Sequence, residues 1–222
     1  MGIVQRRYDV AFFLSRELVI SPPPTLRRQI RSLRRALSAD ERRFAALAVA
    51  RRLTAWPAFA GATRIAGYWA CDGELDPTPV LEQAWVANRQ VYLPVLAEKS
   101  LLCFAPYRPG IPLRRNRFQI PEPEVDPAEW LRPSQLDLVL TPLVAFDSTG
   151  SRLGMGGGFY DRSFAFLREA KNLGHRPRLL GLAYEFQKVA ELVRQPWDVP
   201  LDVVVTEAAL YEFSEPGGDA GS

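Results

Sequence analysis

Four glycines fall within five positions, Gly154, Gly156, Gly157 and Gly158, in the loop that follows a long apolar run at 136–146. Glycines that close together leave backbone N–H groups unshielded and able to wrap a phosphate. A helix expected over 159–170 would aim its N-terminal dipole at the same anion. Arg152 adds a fixed positive charge at the loop mouth, and Asp161 offers a hard oxygen ligand where Mg²⁺ bridges phosphates. No Lys-Ser or Lys-Thr follows the glycines, so the loop is not of Walker A type. Phe159 stands where a dinucleotide fingerprint needs its third glycine.

A second basic feature is a helix expected from Thr25 to Leu37. Leu26, Ile30, Leu33 and Leu37 make one apolar stripe, and Arg27, Arg31 and Arg34 share a neighbouring face. That arginine row reads either as a solvated face or as an anion site. Ser38 and Glu41 form a capping box that opens another helix running to Thr54, which Trp56-Pro57 ends.

Strands and helices then alternate. Strands are expected at 65–70, 91–96, 101–107, 136–146, 179–184 and 203–206, and helices at 77–88, 159–170 and 185–195. Repeated strand–helix units predict a single α/β domain over residues 25–213, with a mainly parallel sheet flanked by helices. Ligands bind at the carboxyl ends of strands in such sheets, so the loops after Ala70 and Phe146 are the first candidates. Residues 1–24 end in Ser21-Pro22-Pro23-Pro24 and read as a loosely attached extension whose removal is expected to be tolerated. Residues 214–222 read as a disordered tail.

Composition narrows the function classes. The net charge of +3 hides an asymmetry, because residues 1–52 hold twelve Arg against four acids. A basic arm could meet a polyanion, but the body lacks the basic and aromatic clusters of a nucleic-acid binder. Cys71 and Cys103 lie 32 positions apart without a CxxC, and His175 is the one histidine. Two reduced thiols packed in strands are expected, with no soft-ligand metal site. No stretch nears the roughly 20 apolar residues of a membrane span, and a cytoplasmic monomer is expected.

The string Thr141-Pro142-Leu143-Val144-Ala145-Phe146-Asp147, followed by Gly150-x-Arg152-Leu153-Gly154-Met155-Gly156-Gly157-Gly158-Phe159-Tyr160-Asp161, resembles the signature of 5-formyltetrahydrofolate cyclo-ligases. Asp72-Gly73-Glu74-Leu75-Asp76, Ile120-Pro121-Glu122-Pro123 and Trp197-Asp198-Val199-Pro200-Leu201-Asp202 resemble three further family motifs, in order. The likeness spans about residues 25–211.

The resemblance implies ATP-dependent, Mg²⁺-dependent closure of 5-formyltetrahydrofolate to 5,10-methenyltetrahydrofolate. It implies an ATP site of Arg27, Arg152, Gly154, Met155, Gly156, Gly157, Gly158, Phe159 and Tyr160. Folate contacts would come from Trp69, Glu74 and the Met155–Phe159 stretch, and metal carboxylates from Asp161 and Asp198. Glu74, Arg152 and Tyr160 would carry the chemistry; Glu122, apart from the resemblance, reads as a turn anchor. The sequence departs from the family at Pro23, where a Lys or Arg usually faces the ATP phosphates. Arg28, Arg31 or the Arg6-Arg7 pair would then have to substitute. By residue chemistry alone, an enzyme of sugar phosphates or acyl-CoA, and a folate- or nucleotide-binding protein without turnover, remain alternatives.

Overall fold

The computed structural model describes residues 22–168 and 175–213. The extension up to Ser21, the end of the helix expected over 159–170, and the tail from residue 214 lie outside the described residues.

Strands β1 (Arg64–Ala66), β2 (Gln90–Leu96), β3 (Leu102–Pro106), β6 (Leu138–Thr141), β9 (Arg178–Leu182), β10 (Val203–Val205) and β11 (Leu210–Glu212) form one sheet. Its order is β11-β10-β9-β6-β1-β2-β3. The four central pairings are parallel, and the two edge pairings, β10 with β11 and β2 with β3, are antiparallel. The expected α/β fold with a mainly parallel sheet is present.

The central strands are apolar on both faces because both faces are covered. Ile65, Leu138, Leu140, Leu180, Leu182, Val203 and Val205 point into one core cluster. Their neighbours Ala66, Val139, Leu179 and Val204 point into another. The first layer is closed by α2 (Ala39–Thr54), α3 (Pro57–Gly61) and α4 (Thr78–Val86), which bury Val49, Leu53, Phe59, Val80 and Leu81. Helix α2 opens on the expected capping box: the Ser38 hydroxyl accepts from the Glu41 amide, and Glu41 accepts from the Ser38 amide at 2.8 Å. Ser38→Ala is expected to cost about 1 kcal/mol of stability. Denaturant titration of the two proteins would check this.

Helix α1 (Pro23–Ala36) starts two residues earlier than expected, since proline fits the first helical turn, where its missing N–H would be unpaired anyway. Its stripe of Leu26 and Ile30 packs on Val144, Ala145 and Val189 in a third cluster. That seats α1 over the loop that leaves β6.

Four expected elements are corrected. The 136–146 run is not one strand: β6 stops at Thr141, before Pro142, and Ala145–Phe146 (β7) pairs instead with Arg152–Leu153 (β8) in a separate hairpin. Proline has no N–H to give a central ladder. The glycine-loop helix, α5, is only Phe159–Ser163. Ser163 turns its hydroxyl back to the Phe159 carbonyl at 2.7 Å and accepts from the Leu102 amide, tying the chain to β3. The helix expected at 185–195 is a single 3-10 turn, Glu185–Gln187, after which the chain runs extended beside β7 with Val189 N–H on the Phe146 carbonyl at 2.8 Å. The strand expected over 65–70 ends at Ala66. A hairpin of β4 (Leu113–Arg115) and β5 (Pro121–Pro123) adds to the expected elements. Glu122 closes it, accepting from the Leu96 amide and from Asn116, as expected of a turn anchor.

Candidate active site

The turn after β1 and the glycine loop after β8 meet across α1. Cys71-Asp72-Gly73-Glu74 is a tight turn, with positive φ at Asp72 (52°) and Gly73 (73°) and the Glu74 amide on the Cys71 carbonyl at 2.9 Å. Two consecutive positive φ values mark a type I′ turn, the geometry that an Asp-Gly pair adopts readily. Glu74 is thereby folded inward and is 8% exposed. One of its oxygens accepts from the Cys71 amide at 3.1 Å and from the Cys71 thiol at 3.5 Å. Burial pushes the Glu74 carboxyl above its usual range, against the pull of the Cys71 amide and Arg34. Cys71 itself is exposed on this turn rather than packed in a strand, and Cys103 lies in β3; both are free thiols.

The arginine row on α1 divides its work. Arg27 donates from Nε to the Gly154 carbonyl at 2.7 Å, and its guanidinium lies 3.9 Å from where a Cβ at Gly156 would stand. Gly156 has φ +99°, closed to ordinary side chains, so the loop can bend beneath this arginine. Arg31, Arg34 and Arg35 all bond Asp72. Arg31 thus serves an intramolecular carboxylate through its Nε.

The loop entry is shaped by Asp147, which is buried and accepts from the Thr149 and Ser151 amides at 2.8 and 3.1 Å and from the Leu192 amide at 2.9 Å. Arg152 follows in β8 with a side chain only 5% exposed. It donates to the Val199 carbonyl and, at 2.6 Å, to Asp161. Asp161 also accepts the Val199 amide at 3.2 Å, so the loop is clasped to the 197–202 motif. Asp198 accepts the Gln195 amide at 2.8 Å and acts electrostatically on Arg152. With five residues, α5 is too short to offer the N-terminal anion site expected of it. Among the described residues the positive groups facing the loop are Arg27, Arg152 and Arg162, the last donating to the Gly157 carbonyl at 2.8 Å.

Tyr160, the second residue of α5, is half-buried with its hydroxyl shielded from solvent, and its ring stacks on Phe164 at 6.1 Å between ring centres. Its hydroxyl has no hydrogen-bond partner among the described residues, although Glu74 and Arg152 both act on it electrostatically. Burial, with Glu74 adding to it, raises the phenol well above its ordinary value, so Tyr160 stays protonated and remains a donor. The indole N–H of Trp69 is likewise buried without a partner, and its ring meets Tyr107 edge-on at 5.8 Å. Trp130 and Tyr184 also carry buried side-chain groups without a partner among the described residues, so the Trp69 and Tyr160 donors are distinguished by their place beside the β1 turn and on the glycine-loop helix. Phe159 is covered edge-on by Phe118, which is 50% exposed and which no sequence motif points to, while Met155 is 47% exposed on the loop.

A sequence model described as the 5-formyltetrahydrofolate cyclo-ligase family matches residues 20–207. The chain belongs to that family. The 5-formyltetrahydrofolate cyclo-ligase of Escherichia coli (strain K12) is 41% identical over 187 residues, covering 83% of this chain and all of that protein. The Haemophilus influenzae cyclo-ligase is 40% identical over 183 residues, covering 81% of this chain and 95% of its own. The NMR structure of Aquifex aeolicus 5,10-methenyltetrahydrofolate synthetase superposes with a TM-score of 0.73 at 31% identity, covering 90% of this chain and 96% of that one. The match spans every motif of the cyclo-ligase resemblance. Among the described residues no helix is long and apolar enough to cross a membrane.

Proposed function

We propose that this chain converts 5-formyltetrahydrofolate and ATP to 5,10-methenyltetrahydrofolate, ADP and phosphate. The observation that carries the reading, beside family membership, is the buried and unpaired Tyr160 hydroxyl at the glycine loop, on which Glu74 and Arg152 both act electrostatically.

The 5-formyl group is an amide and resists attack, and hydroxide leaves poorly from its adduct with N10. Transfer of the γ-phosphoryl group to the formyl oxygen gives an imidate-like carbon with phosphate as the leaving group. N10 attacks that carbon and gives up its proton to solvent, the C–O bond to phosphate breaks, and the five-membered ring closes. Such chemistry asks the protein mainly for positioning and charge neutralisation. The amides of residues 154–159, with Arg27 and Arg152, would hold the phosphates. Glu74 and the Trp69 indole N–H would bind the folate ring and its N10 side, with the Met155–Phe159 stretch shared by both substrates. Tyr160, held neutral, would donate to the formyl oxygen or to the phosphate it receives.

Magnesium is implied with ATP, and the residues fit it in one form. Among the described residues no three His, Cys, Asp or Glu side chains gather as a metal cage. Asp161 and Asp198 nonetheless both act on Arg152. One or two carboxylates are what Mg²⁺ takes from a protein when phosphates and water complete its shell. The two would hold an ion that neutralises phosphate charge.

An absorbance assay for methenyltetrahydrofolate, with 5-formyltetrahydrofolate, ATP and Mg²⁺, tests the reading. Product must require all three. Binding of both substrates without product would refute turnover and support a binding protein of the same fold.

A further inference from the structure

Arg34 heads the fully buried side chains by volume, with no surface exposed. Its Nη1 donates to the Leu143 carbonyl at 3.3 Å and lies 3.9 Å from Glu74 Oε1, while Nη2 donates to Asp72 Oδ2 at 3.3 Å. One guanidinium thus joins α1, the Cys71–Glu74 turn and the loop after β6. The backbone is fitted to this joint: a Cβ at Gly73 would come within 3.0 Å of the Arg34 carbonyl.

A buried cation needs counter-charge. Asp72 supplies part of it, but Asp72 also takes Arg31 and Arg35, which approach more closely than Arg34 does. Three cations share one carboxylate, so the charge of Arg34 is only partly neutralised there, and Glu74 is the other carboxylate within reach. Such a guanidinium is poorly placed to touch a ligand, because none of it faces solvent.

We infer that Arg34 is a positioning residue for Glu74, supplying the counter-charge that holds this buried carboxylate in place without itself contacting substrate. The inference rests on the proposed role of Glu74 at the folate. The groups facing Glu74 are Cys71 and Asp72 of its own turn, Arg34 from α1, Tyr68 beyond the end of β1 and Tyr160 from α5. Burial and Asp72 favour the neutral acid; the Cys71 amide and thiol and Arg34 favour the carboxylate. Arg34 is the cation in that set, so its loss moves Glu74 toward protonation.

The test is a ¹³C-carboxyl NMR titration of the glutamate-labelled full-length chain, with the Glu74 signal assigned through Glu74→Gln. In Arg34→Gln the Glu74 midpoint moves to higher pH. In Arg35→Gln, where the lost cation is 59% exposed and bound to Asp72 alone, it stays in place. If Arg34→Gln does not fold, Arg34→Lys is read instead: its compact ammonium cannot span the three acceptors, and the midpoint still rises, by less. In turnover, the variant loses kcat at neutral pH and regains it as pH rises. Its KM for ATP stays within about twofold, far less than the tenfold that 1.4 kcal/mol of lost binding gives. A Glu74 midpoint coinciding with that of the unaltered chain, in whichever variant folds, overturns the inference. The NMR readout needs no turnover, so absence of cyclo-ligase activity would sink the proposed function and leave this result standing.

Discussion

Replacing Asp161 with alanine is expected to abolish turnover and also to lower the melting temperature. The two effects arise from the two ends of its environment. On the protein side, Asp161 accepts hydrogen bonds from Arg152 Nη2 at 2.6 Å and from the Val199 amide at 3.2 Å. Arg152 is 5% exposed, and alanine would leave its guanidinium without an ionic partner. Removing one partner of a buried pair costs on the order of 3–5 kcal/mol. The Asp161 carboxylate is 26% exposed, which lets water in and places the cost toward the low end of that range. On the substrate side, Asp161 is one of the two carboxylates proposed to hold magnesium beside the phosphates. Asp161→Asn separates the roles, because its amide oxygen still accepts from Arg152 and Val199 while the negative charge is gone. Asparagine is expected to restore part of the melting temperature, through the hydrogen bonds it keeps, and almost none of the activity. Thermal denaturation of both variants, with turnover measured across Mg²⁺ concentrations, checks this. Near-normal activity of the asparagine variant at saturating Mg²⁺ would reduce Asp161 to a clasp for Arg152.

Legibility in the sequence follows locality. The central strands are readable because burial on both faces makes them continuously apolar, as at Leu138–Thr141 and Val203–Val205. The Ser38–Glu41 box is readable because all its atoms lie within one turn of helix. Asp72-Gly73 stands out as a motif, and its turn geometry follows from the residue pair itself. The features that escape a sequence reading depend on distant partners. The apolar run after Leu136 has the pattern of one strand, since nothing local reveals that Ala145 and Phe146 pair with Arg152 and Leu153 across the loop. Residues 185–195 carry helical spacing, yet Gln187 spends its amide on the Leu143 and Val144 carbonyls and the chain stays extended beside β7.

The site divides in the same way. The glycine loop, Arg152, Tyr160 and Asp161 lie within ten positions of one another, so their common neighbourhood is plain from the sequence. Arg31 and Arg34 show there as a row of charges, but their anion is Asp72, an internal carboxylate 41 and 38 positions away. Spacing along a helix shows that three guanidinium groups share a side. It does not show whether a ligand or the protein itself answers them. The partner of Arg27 is different in kind, a backbone carbonyl of the glycine loop.

That difference leads to the second large effect. Arg27→Ala is expected to raise the KM for ATP much more than the KM for 5-formyltetrahydrofolate. Leu26 and Ile30, at 3% and 0% exposure, lock this turn of α1 onto Val144 and Ala145, so the Arg27 backbone is fixed. Its Nε is held by the Gly154 carbonyl at 2.7 Å, which aims the remaining guanidinium N–H groups over Gly156. Those groups are the proposed phosphate donors, and with Pro23 unable to contribute, Arg27 would carry more of the phosphate charge. Loss of a charge-assisted hydrogen bond costs about 1.5–3 kcal/mol, which is roughly ten- to over a hundredfold in affinity at about 1.4 kcal/mol per decade. Arg27→Lys keeps the charge but loses the Nε–H that orients it, and should fall between alanine and the unaltered chain. Glu74→Gln is expected to show the opposite pattern, raising the KM for folate while leaving that for ATP nearly unchanged, because Glu74 sits at the β1 turn rather than on the glycine loop. Steady-state kinetics with each substrate varied at saturation of the other will distinguish the two. An unchanged ATP KM in Arg27→Ala would mean that this arginine only braces the Gly154 carbonyl, and the phosphates would then have to be sought nearer Arg152.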